Sequence, residues 1–245
     1  MKKNPLFFTI IFFLLLSVNH AEKACSWDDK THLAIARAAG YFRWYNAAGA
    51  DLAKLKAGDL EAYNHYSNNP PGAVITAKKI LEQVNHYNRK DHSEGHLYGA
   101  IIASVREYKK NRKDGKYAYP YLDYTVHYIG DLSQPLHNTV YNDFNKKNHL
   151  EIDLMISANQ LKSKTGIKIY PVSIKNENDL VEKIAHLANM SMKLGYQIEK
   201  ENRILTAEEA MDQISHSISL LKGLLEYLMP DKDNNIKGNG NNEPL

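Results

Sequence analysis

Apolar residues recur every three or four positions along almost the whole chain, and this periodicity constrains the fold more than any other feature. One such series runs over residues 74–84 and another over residues 98–108. Spacing of this kind places apolar side chains on one face of a helix. No stretch alternates polar and apolar residues for long enough to predict a strand. The sequence therefore predicts an all-α protein, built as a single compact multi-helix domain.

Capping and turn residues set boundaries for several of the predicted helices. Thr31 is placed to cap a first helix over residues 32–44, and a return helix over residues 47–57 ends at Gly58. Pro120 suits the first turn of a later helix, because proline needs no backbone N–H partner there.

Two long helices follow, over residues 179–201 and 206–229. Thr206 and Glu209 form a capping box at the start of the second, in which each side chain bonds the other residue's backbone N–H.

Residues 1–26 are predicted to be a secretory signal peptide. Lys2 and Lys3 precede an apolar stretch over residues 6–18, which is too short to span a membrane. The mature protein is therefore expected to be secreted or periplasmic, with its domain over residues 27–230. Residues 231–245 have almost nothing to bury, and they are predicted to form a disordered tail.

The cleavage position decides which residue begins the mature chain. Ala24 and Ser26 supply the small residues that signal peptidase prefers, so the mature chain would begin at Trp27. Cleavage after Ala21 and a lipoprotein cut before Cys25 are the alternatives. Cleavage before Trp27 lowers the formal charge from +3 to +1 and removes the single cysteine. The domain must then be stabilised without disulfides, by a hydrophobic core and any metal that it binds.

Five residues have the chemistry and spacing of metal ligands. His127 and Asp131 are four residues apart, so a helix places them on one face, and Pro135 then turns His137 back toward them. His149 and Asp153 repeat the four-residue spacing. A single such pair is most often a surface pair, but two pairs that flank a third histidine predict a zinc site with imidazole and carboxylate ligands.

The segment HYIGDLSQPLH, residues 127–137, resembles the motif of zinc-dependent phospholipases C and the related fungal single-strand nucleases. In that superfamily a helical H-x3-D precedes a Q-P-x-H turn and a later H-x3-E or H-x3-D, and all three elements occur here in order. The resemblance implies an all-α domain of the zinc phospholipase C type and a zinc-dependent phosphoric ester hydrolase.

The start of the mature chain also resembles the superfamily. There the first mature residue is a tryptophan whose free amino group and carbonyl oxygen bind zinc, with a histidine close behind. Trp27 and His32 match this arrangement with the W-x4-H spacing of the nuclease branch. A free amine exists only after cleavage, which favours the cut before Trp27.

The superfamily also supplies an aspartate and a histidine between these motifs, and here the sequence departs from its usual interval. Asp59 and His65 are the predicted residues, and the length of the two N-terminal helices favours Asp59 over its rival Asp51. Three other histidines could each replace His65: His86, His92 and His96. His186 and His216 lie within later amphipathic helices and are predicted to be structural.

The resemblance implies three Zn²⁺ ions. One would be bound by Asp59, His65, His127 and Asp131; a second by His137, His149 and Asp153; and a third by Trp27 and His32, with Asp131 bridging. Such ions generate hydroxide at neutral pH and hold the phosphoryl oxygens. The resemblance implies that Asp59 orients or deprotonates the attacking water, so Asp59 is also the predicted catalytic residue.

The resemblance implies that the substrate is a phospholipid or a single-stranded nucleic acid. The compact mature chain, its lack of cysteine and the short interval from His137 to His149 favour the phospholipase C branch. The W-x4-H spacing favours the nuclease branch, and the 16 tyrosines suit either substrate. A zinc-binding homologue without catalytic activity is the alternative of a different class.

Overall fold

The computed structural model describes residues 27–155 and 166–230. Within these ranges the chain forms helices joined by turns and loops and contains no strand, which confirms the all-α prediction. The predicted signal peptide, residues 1–26, and the predicted tail, residues 231–245, lie outside the described residues. No helix in the described ranges is both long enough and apolar enough to cross a membrane.

The described helices have the following bounds: α1 Asp29–Ala38, α2 Gly49–Ala57, α3 Asp59–Ala62, α4 Ala77–Gln83, α5 Leu97–Lys113, α6 Tyr119–Ser133, α7 Asp143–Asp153, α8 Glu177–Lys200 and α9 Ala207–Leu228. Short 3₁₀ turns cover Trp44–Asn46, Val84–His86 and Pro135–Asn138. Pro120 lies in the first turn of α6, as its chemistry predicts.

Helix α6 lies at the centre of the domain. Every side chain from Leu122 to Ser133 is buried except that of Tyr124. Helices α5 and α9 pack against it, and α1 and α2 contact it as well. A helix that is buried on all sides normally carries only apolar residues. Because α6 instead carries His127 and Asp131, these two side chains must find polar partners within the interior.

The first helix is shorter than predicted. It begins at Asp29, so Thr31 is a buried residue inside its first turn and does not cap it. It ends at Ala38, and Gly40 follows with φ +83°, a left-handed conformation that glycine adopts without strain. The predicted continuation to Trp44 is wrong, because the chain turns at Gly40 before it enters the Trp44–Asn46 turn.

The two long C-terminal helices begin as expected. The Thr206 hydroxyl accepts the Glu209 backbone N–H at 3.1 Å, and the Glu209 carboxylate accepts the Thr206 N–H at 2.8 Å. This reciprocal pair confirms the predicted capping box of α9. Helix α8 is capped by Asn176, whose side chain accepts the Asp179 N–H.

Candidate metal centre

Three groups of histidine and aspartate side chains come together beside the middle of α6. The Asp51 group comprises Asp51, His65 and His127; the His32 group comprises His32, His127 and Asp131; and the Asp153 group comprises His137, His149 and Asp153. Within each group the potential ligand atoms lie within 4.8 Å of one another. The first two groups share His127, and the Asp131 carboxylate is 3.8 Å from His137 Nδ1 of the third. The three groups therefore form one continuous centre.

Helices α1 and α6 supply the His32 group. His32 Nε2 lies 3.3 Å from Asp131 Oδ1, and His127 Nε2 lies 3.3 Å from Asp131 Oδ2. The two imidazole rings stack with their centroids 3.9 Å apart. The predicted spacing of His127 and Asp131 thus places both on the face of α6 that meets α1.

The Asp51 group forms where α2 passes α6. His127 Nδ1 donates a hydrogen bond of 2.7 Å to the Ala47 carbonyl oxygen, which turns Nε2 toward Asp51 Oδ2 at 3.7 Å. His65 Nδ1 lies 3.7 Å from Asp51 Oδ1 and 3.0 Å from Asp131 Oδ2. His65 therefore lies in the cluster, as the sequence predicts.

Asp59 does not join these residues. It is an exposed residue at the start of α3. Because α1 ends early, the return chain is already level with His127 at Ala47, and Asp51 follows one turn later. Asp59 lies eight residues further on, about 12 Å along a helix axis. Among the described residues Asp51 takes the place predicted for Asp59.

The turn after α6 and helix α7 supply the Asp153 group. His137 Nδ1 donates to the His65 carbonyl oxygen at 2.6 Å, and His149 Nδ1 donates to Asn145 Oδ1 at 2.7 Å. Their Nε2 atoms face each other at 3.1 Å. An N–H···N hydrogen bond between them requires one ring to carry protons on both nitrogens. Either this cationic ring or a bound cation is needed to hold the two nitrogens together.

Asp153 completes this group from the end of α7. Its Oδ1 accepts a hydrogen bond of 2.7 Å from the Gln134 amide, and its Oδ2 lies 3.6 Å from His149 Nε2. Oδ2 is buried and has no hydrogen-bond partner among the described residues. Burial raises the pKa of Asp153 well above its usual range, and the charges of Asp131 and Asp51 add to the effect of burial. A cation beside Oδ2 would reverse this shift.

The pKa values of the other ionisable groups in the centre are shifted in opposite directions. Burial, together with the charge of His127, lowers the pKa of His32 to about 4. Burial also opposes the charge on His127, but the carboxylates of Asp131 and Asp51 outweigh this effect and raise its pKa to about 9. Burial would raise the pKa of Asp131, yet His127 and its other histidine partners hold it well below the usual range. The ionised Asp131 carboxylate and the neutral His32 imidazole are suited to a divalent cation, which would displace the proton of His127.

The first described residue, Trp27, lies against the same centre. Its side chain is fully buried, and its indole N–H donates to Ser133 Oγ at 3.1 Å. The next residue, Asp28, donates its backbone N–H to the Asp153 carbonyl oxygen at 3.4 Å. Trp27 is thus fixed beside both α6 and the end of α7.

Several residues that contact the potential metal ligands were not predicted from the sequence. Glu61 is buried, and its Oε1 lies 3.5 Å from His65 Nε2 while it accepts a 2.5 Å hydrogen bond from the Tyr128 hydroxyl. Lys54 donates to Asp51 Oδ1 at 2.7 Å. Such residues orient the potential metal ligands. Glu61 and Lys54 lie four and three residues from the ligands they contact, so their spacing was a local signal, as was Gln134 in the QPLH turn.

The remaining histidines lie elsewhere. His86, His92 and His96 form a separate cluster, and none of them replaces His65 in the groups described above. His216 stacks on Tyr170 at a centroid distance of 4.3 Å, and His186 is exposed on α8.

Comparisons with known proteins identify no family for this chain: no protein-family model, no curated protein and no solved structure matches it. The resemblance of its motifs to the zinc phospholipase C and nuclease superfamily therefore stays a prediction.

Proposed function

We propose that this protein is a zinc-dependent phosphodiesterase of the phospholipase C type. The observation that carries the proposal is the continuous centre in which His127 and Asp131 connect three groups of potential ligands. Three adjoining groups of imidazole and carboxylate ligands suit a cluster of Zn²⁺ ions better than a single structural ion.

The donor atoms support the binding of cations at each group. The Nε2 atoms of His137 and His149 meet at 3.1 Å while each Nδ1 donates to an oxygen. Asp153 Oδ2 is buried beside them without a hydrogen-bond partner among the described residues. Asp51, His65 and His127 would bind one Zn²⁺ ion, and His32 with Asp131 and the amino group of Trp27 would bind another.

Bound Zn²⁺ would act as a Lewis acid toward phosphoryl oxygens. It would also lower the pKa of water, so that hydroxide is available as the nucleophile at neutral pH. The chain's own residues orient the reactants. Asp51 is about one-fifth exposed, whereas Asp131 is fully buried, so Asp51 is the carboxylate that substrate and water reach. We assign to Asp51 the orienting role expected of Asp59. The Lys54 ammonium beside it offers a positive charge to a phosphate oxygen.

A phospholipid is the first candidate substrate. This preference rests on the compact chain, the absence of cysteine after residue 26 and the short interval between His137 and His149.

Single-stranded nucleic acid is the second candidate, and two residues at the edge of the centre, Tyr141 and Lys146, favour it. Tyr141 is 38% exposed, and its ring centroid lies 6.4 Å from that of His149. The Lys146 ammonium lies 5.6 Å above the same tyrosine ring. An exposed aromatic ring next to a cation suits a stacked base and its phosphate.

We further propose that residues 1–26 are removed during export, so that the protein acts outside the cytoplasm with Trp27 at its start. The burial of Trp27 beside Ser133 and the contact between Asp28 and Asp153 support this proposal, because they bring the new amino terminus to the centre. Sequencing the amino terminus of the exported protein tests the cleavage position.

The function is tested by stripping the exported protein of metal and restoring Zn²⁺, with phosphatidylcholine and single-stranded DNA as substrates. We expect Zn²⁺ to restore hydrolysis of a phosphodiester, and the faster substrate identifies the branch. The Asp59→Asn variant, changed outside the centre, is the matched control and should be restored equally. A protein that binds zinc but hydrolyses neither substrate, nor other phosphodiesters, would be the catalytically silent homologue.

A further inference from the structure

A second histidine cluster lies outside the proposed zinc centre, in the segment between α4 and α5. The ring centroids of His86 and His92 are 4.5 Å apart, those of His92 and His96 are 5.9 Å apart, and those of His86 and His96 are 6.2 Å apart. His86 is about one-third exposed, whereas His96 is fully buried. The three rings thus form a layer that runs from the surface into the domain.

Hydrogen bonding fixes which nitrogen of His96 is open to a ligand. Its Nε2 lies 2.9 Å from Asn64 Oδ1, and the Asn64 amide nitrogen is oriented as a donor to Glu61 and Tyr128. Nε2 of His96 must therefore carry the proton. Nδ1 then presents a lone pair, and it is buried without a hydrogen-bond partner among the described residues. Nδ1 of His92 is likewise buried and has no hydrogen-bond partner among the described residues.

The third ring, His86, is oriented by a carboxylate. Its Nδ1 lies 3.3 Å from Asp91 Oδ1, and Asp91 Oδ2 forms an ion pair of 2.9 Å with Arg89. A proton on Nδ1 satisfies Asp91 and leaves Nε2 as the lone-pair nitrogen. Histidines that bind metals commonly donate their second N–H to a carboxylate in this way.

We propose that His86, His92 and His96 form a second metal site for a divalent transition-metal ion of the Zn²⁺ type. The ligand atoms would be Nε2 of His86 and Nδ1 of the other two residues. A Zn–N bond of about 2.0–2.1 Å and tetrahedral angles place two imidazole centroids about 5 Å apart, which falls within the observed spacings. The nitrogens do not yet converge as closely as those of the zinc centre, and His86 stacks on His92. The His86 ring, which is about one-third exposed, would rotate toward the other two when the ion binds.

This site acts on the structure of the chain and does not depend on the proposed hydrolase activity. An ion here joins the 3₁₀ turn after α4 to the start of α5. His96 also connects through Asn64 to Glu61, whose Oε1 lies 3.5 Å from His65. A bound ion therefore holds the residues that support one side of the zinc centre.

The test compares zinc uptake by three proteins. Isothermal titration with ZnCl₂ is performed on three metal-free proteins: the wild type, a His86→Ala/His92→Ala double variant, and His186→Ala. His186 is an exposed histidine outside both clusters, so its variant is the matched control. We expect the wild type and His186→Ala to take up one more Zn²⁺ per molecule than the double variant. Circular dichroism confirms that each protein is folded.

Equal uptake by the wild type and the double variant would overturn the proposal. If the double variant does not fold, His86→Ala alone serves, because its ring is about one-third exposed, and the additional ion should bind at least tenfold more weakly. Failure of the zinc centre lowers the uptake of all proteins by the same amount and leaves the difference between them. Phosphodiesterase activity is scored separately, so the two proposals fail in distinguishable ways.

Discussion

Gly130 lies so close to the His32 ring that a Cβ at this position would be 2.5 Å from His32 Nδ1 and 2.6 Å from Cε1. Because Gly130 has no side chain, His32 of α1 can lie directly against α6. From there His32 Nε2 reaches Asp131 Oδ1 at 3.3 Å. The glycine between Ile129 and Asp131 is thus a steric requirement of the candidate centre.

The Gly130→Ala variant should therefore lose the ion of the His32 group. The added methyl group displaces the ring from Asp131 and strains a packed interface, which costs about 1–3 kcal/mol of folding stability. Zinc content after dialysis should fall by about one ion per molecule, and urea denaturation measures the stability. Gly49→Ala is the control, since its Cβ would meet Tyr124 at an ordinary 3.6 Å. A Gly130→Ala protein with full zinc content would contradict the placement of His32.

The Asp51→Asn and Asp59→Asn variants should differ sharply in activity and in zinc affinity. Asp51 lies 3.7 Å from both His65 and His127, whereas Asp59 is exposed. Loss of a supporting group near a metal ligand typically costs 10–100-fold in affinity or activity, so we expect about 100-fold or more for Asp51→Asn. Steady-state hydrolysis and zinc titration compare the two variants. An inactive Asp59→Asn protein beside an active Asp51→Asn protein would reverse the assignment.

The amino group of Trp27 should be needed for full zinc content. A protein that begins at Trp27 is compared with one that retains a single alanine before it. The extension converts the amine into an amide nitrogen, which does not bind Zn²⁺ at neutral pH, while the indole contact with Ser133 is unchanged. We expect the extended protein to bind about one ion fewer, as measured by atomic absorption. The same content in both proteins would exclude the amine as a ligand.

Zinc binding should become tighter as the pH rises from 7 to 8. Burial opposes a charge on His127, but Asp131 and Asp51 raise its pKa to about 9, so the metal-free ring is protonated at neutral pH. An incoming ion must displace this proton, which changes the affinity by up to about tenfold per pH unit. Isothermal titration in two buffers of different ionisation enthalpy measures the affinity and the proton release. Zinc binding that neither releases a proton nor depends on pH would contradict the assignment of His127.

The same shift has a consequence for the metal-free protein. The folded pKa of His127, about 9, lies above its ordinary value of 6.5. This group therefore contributes its full stabilisation below pH 6.5, and the contribution is lost as the pH rises through 9.

Local spacing accounts for the parts of the centre that could be predicted from sequence. His127 with Asp131 and His149 with Asp153 are four residues apart on one helix, and Pro135 turns His137 toward them. Such relationships depend on helix geometry alone. The recurrence of apolar residues every three or four positions likewise depends on helix geometry, and it predicts the all-α fold class.

Asp59 shows where this reasoning failed. Its prediction depended on the lengths of two successive helices, and the left-handed turn at Gly40 ends the first one early. Glu61 and Lys54 were missed as well, although Glu61 is four residues from His65 and Lys54 is three residues from Asp51. What the spacing does not specify is that α2 packs Asp51 against His127 and that Glu61 accepts a hydrogen bond from Tyr128 on α6.

Anomalous X-ray scattering at the zinc absorption edge, from crystals of the mature protein grown with Zn²⁺, tests the central proposal most directly. We expect three peaks at the centre: one between Asp51, His65 and His127; one between His137, His149 and Asp153; and one beside His32, Asp131 and the amino group of Trp27. A map from zinc-saturated crystals with no peak among these side chains would contradict the zinc centre and the phosphodiesterase function that depends on it.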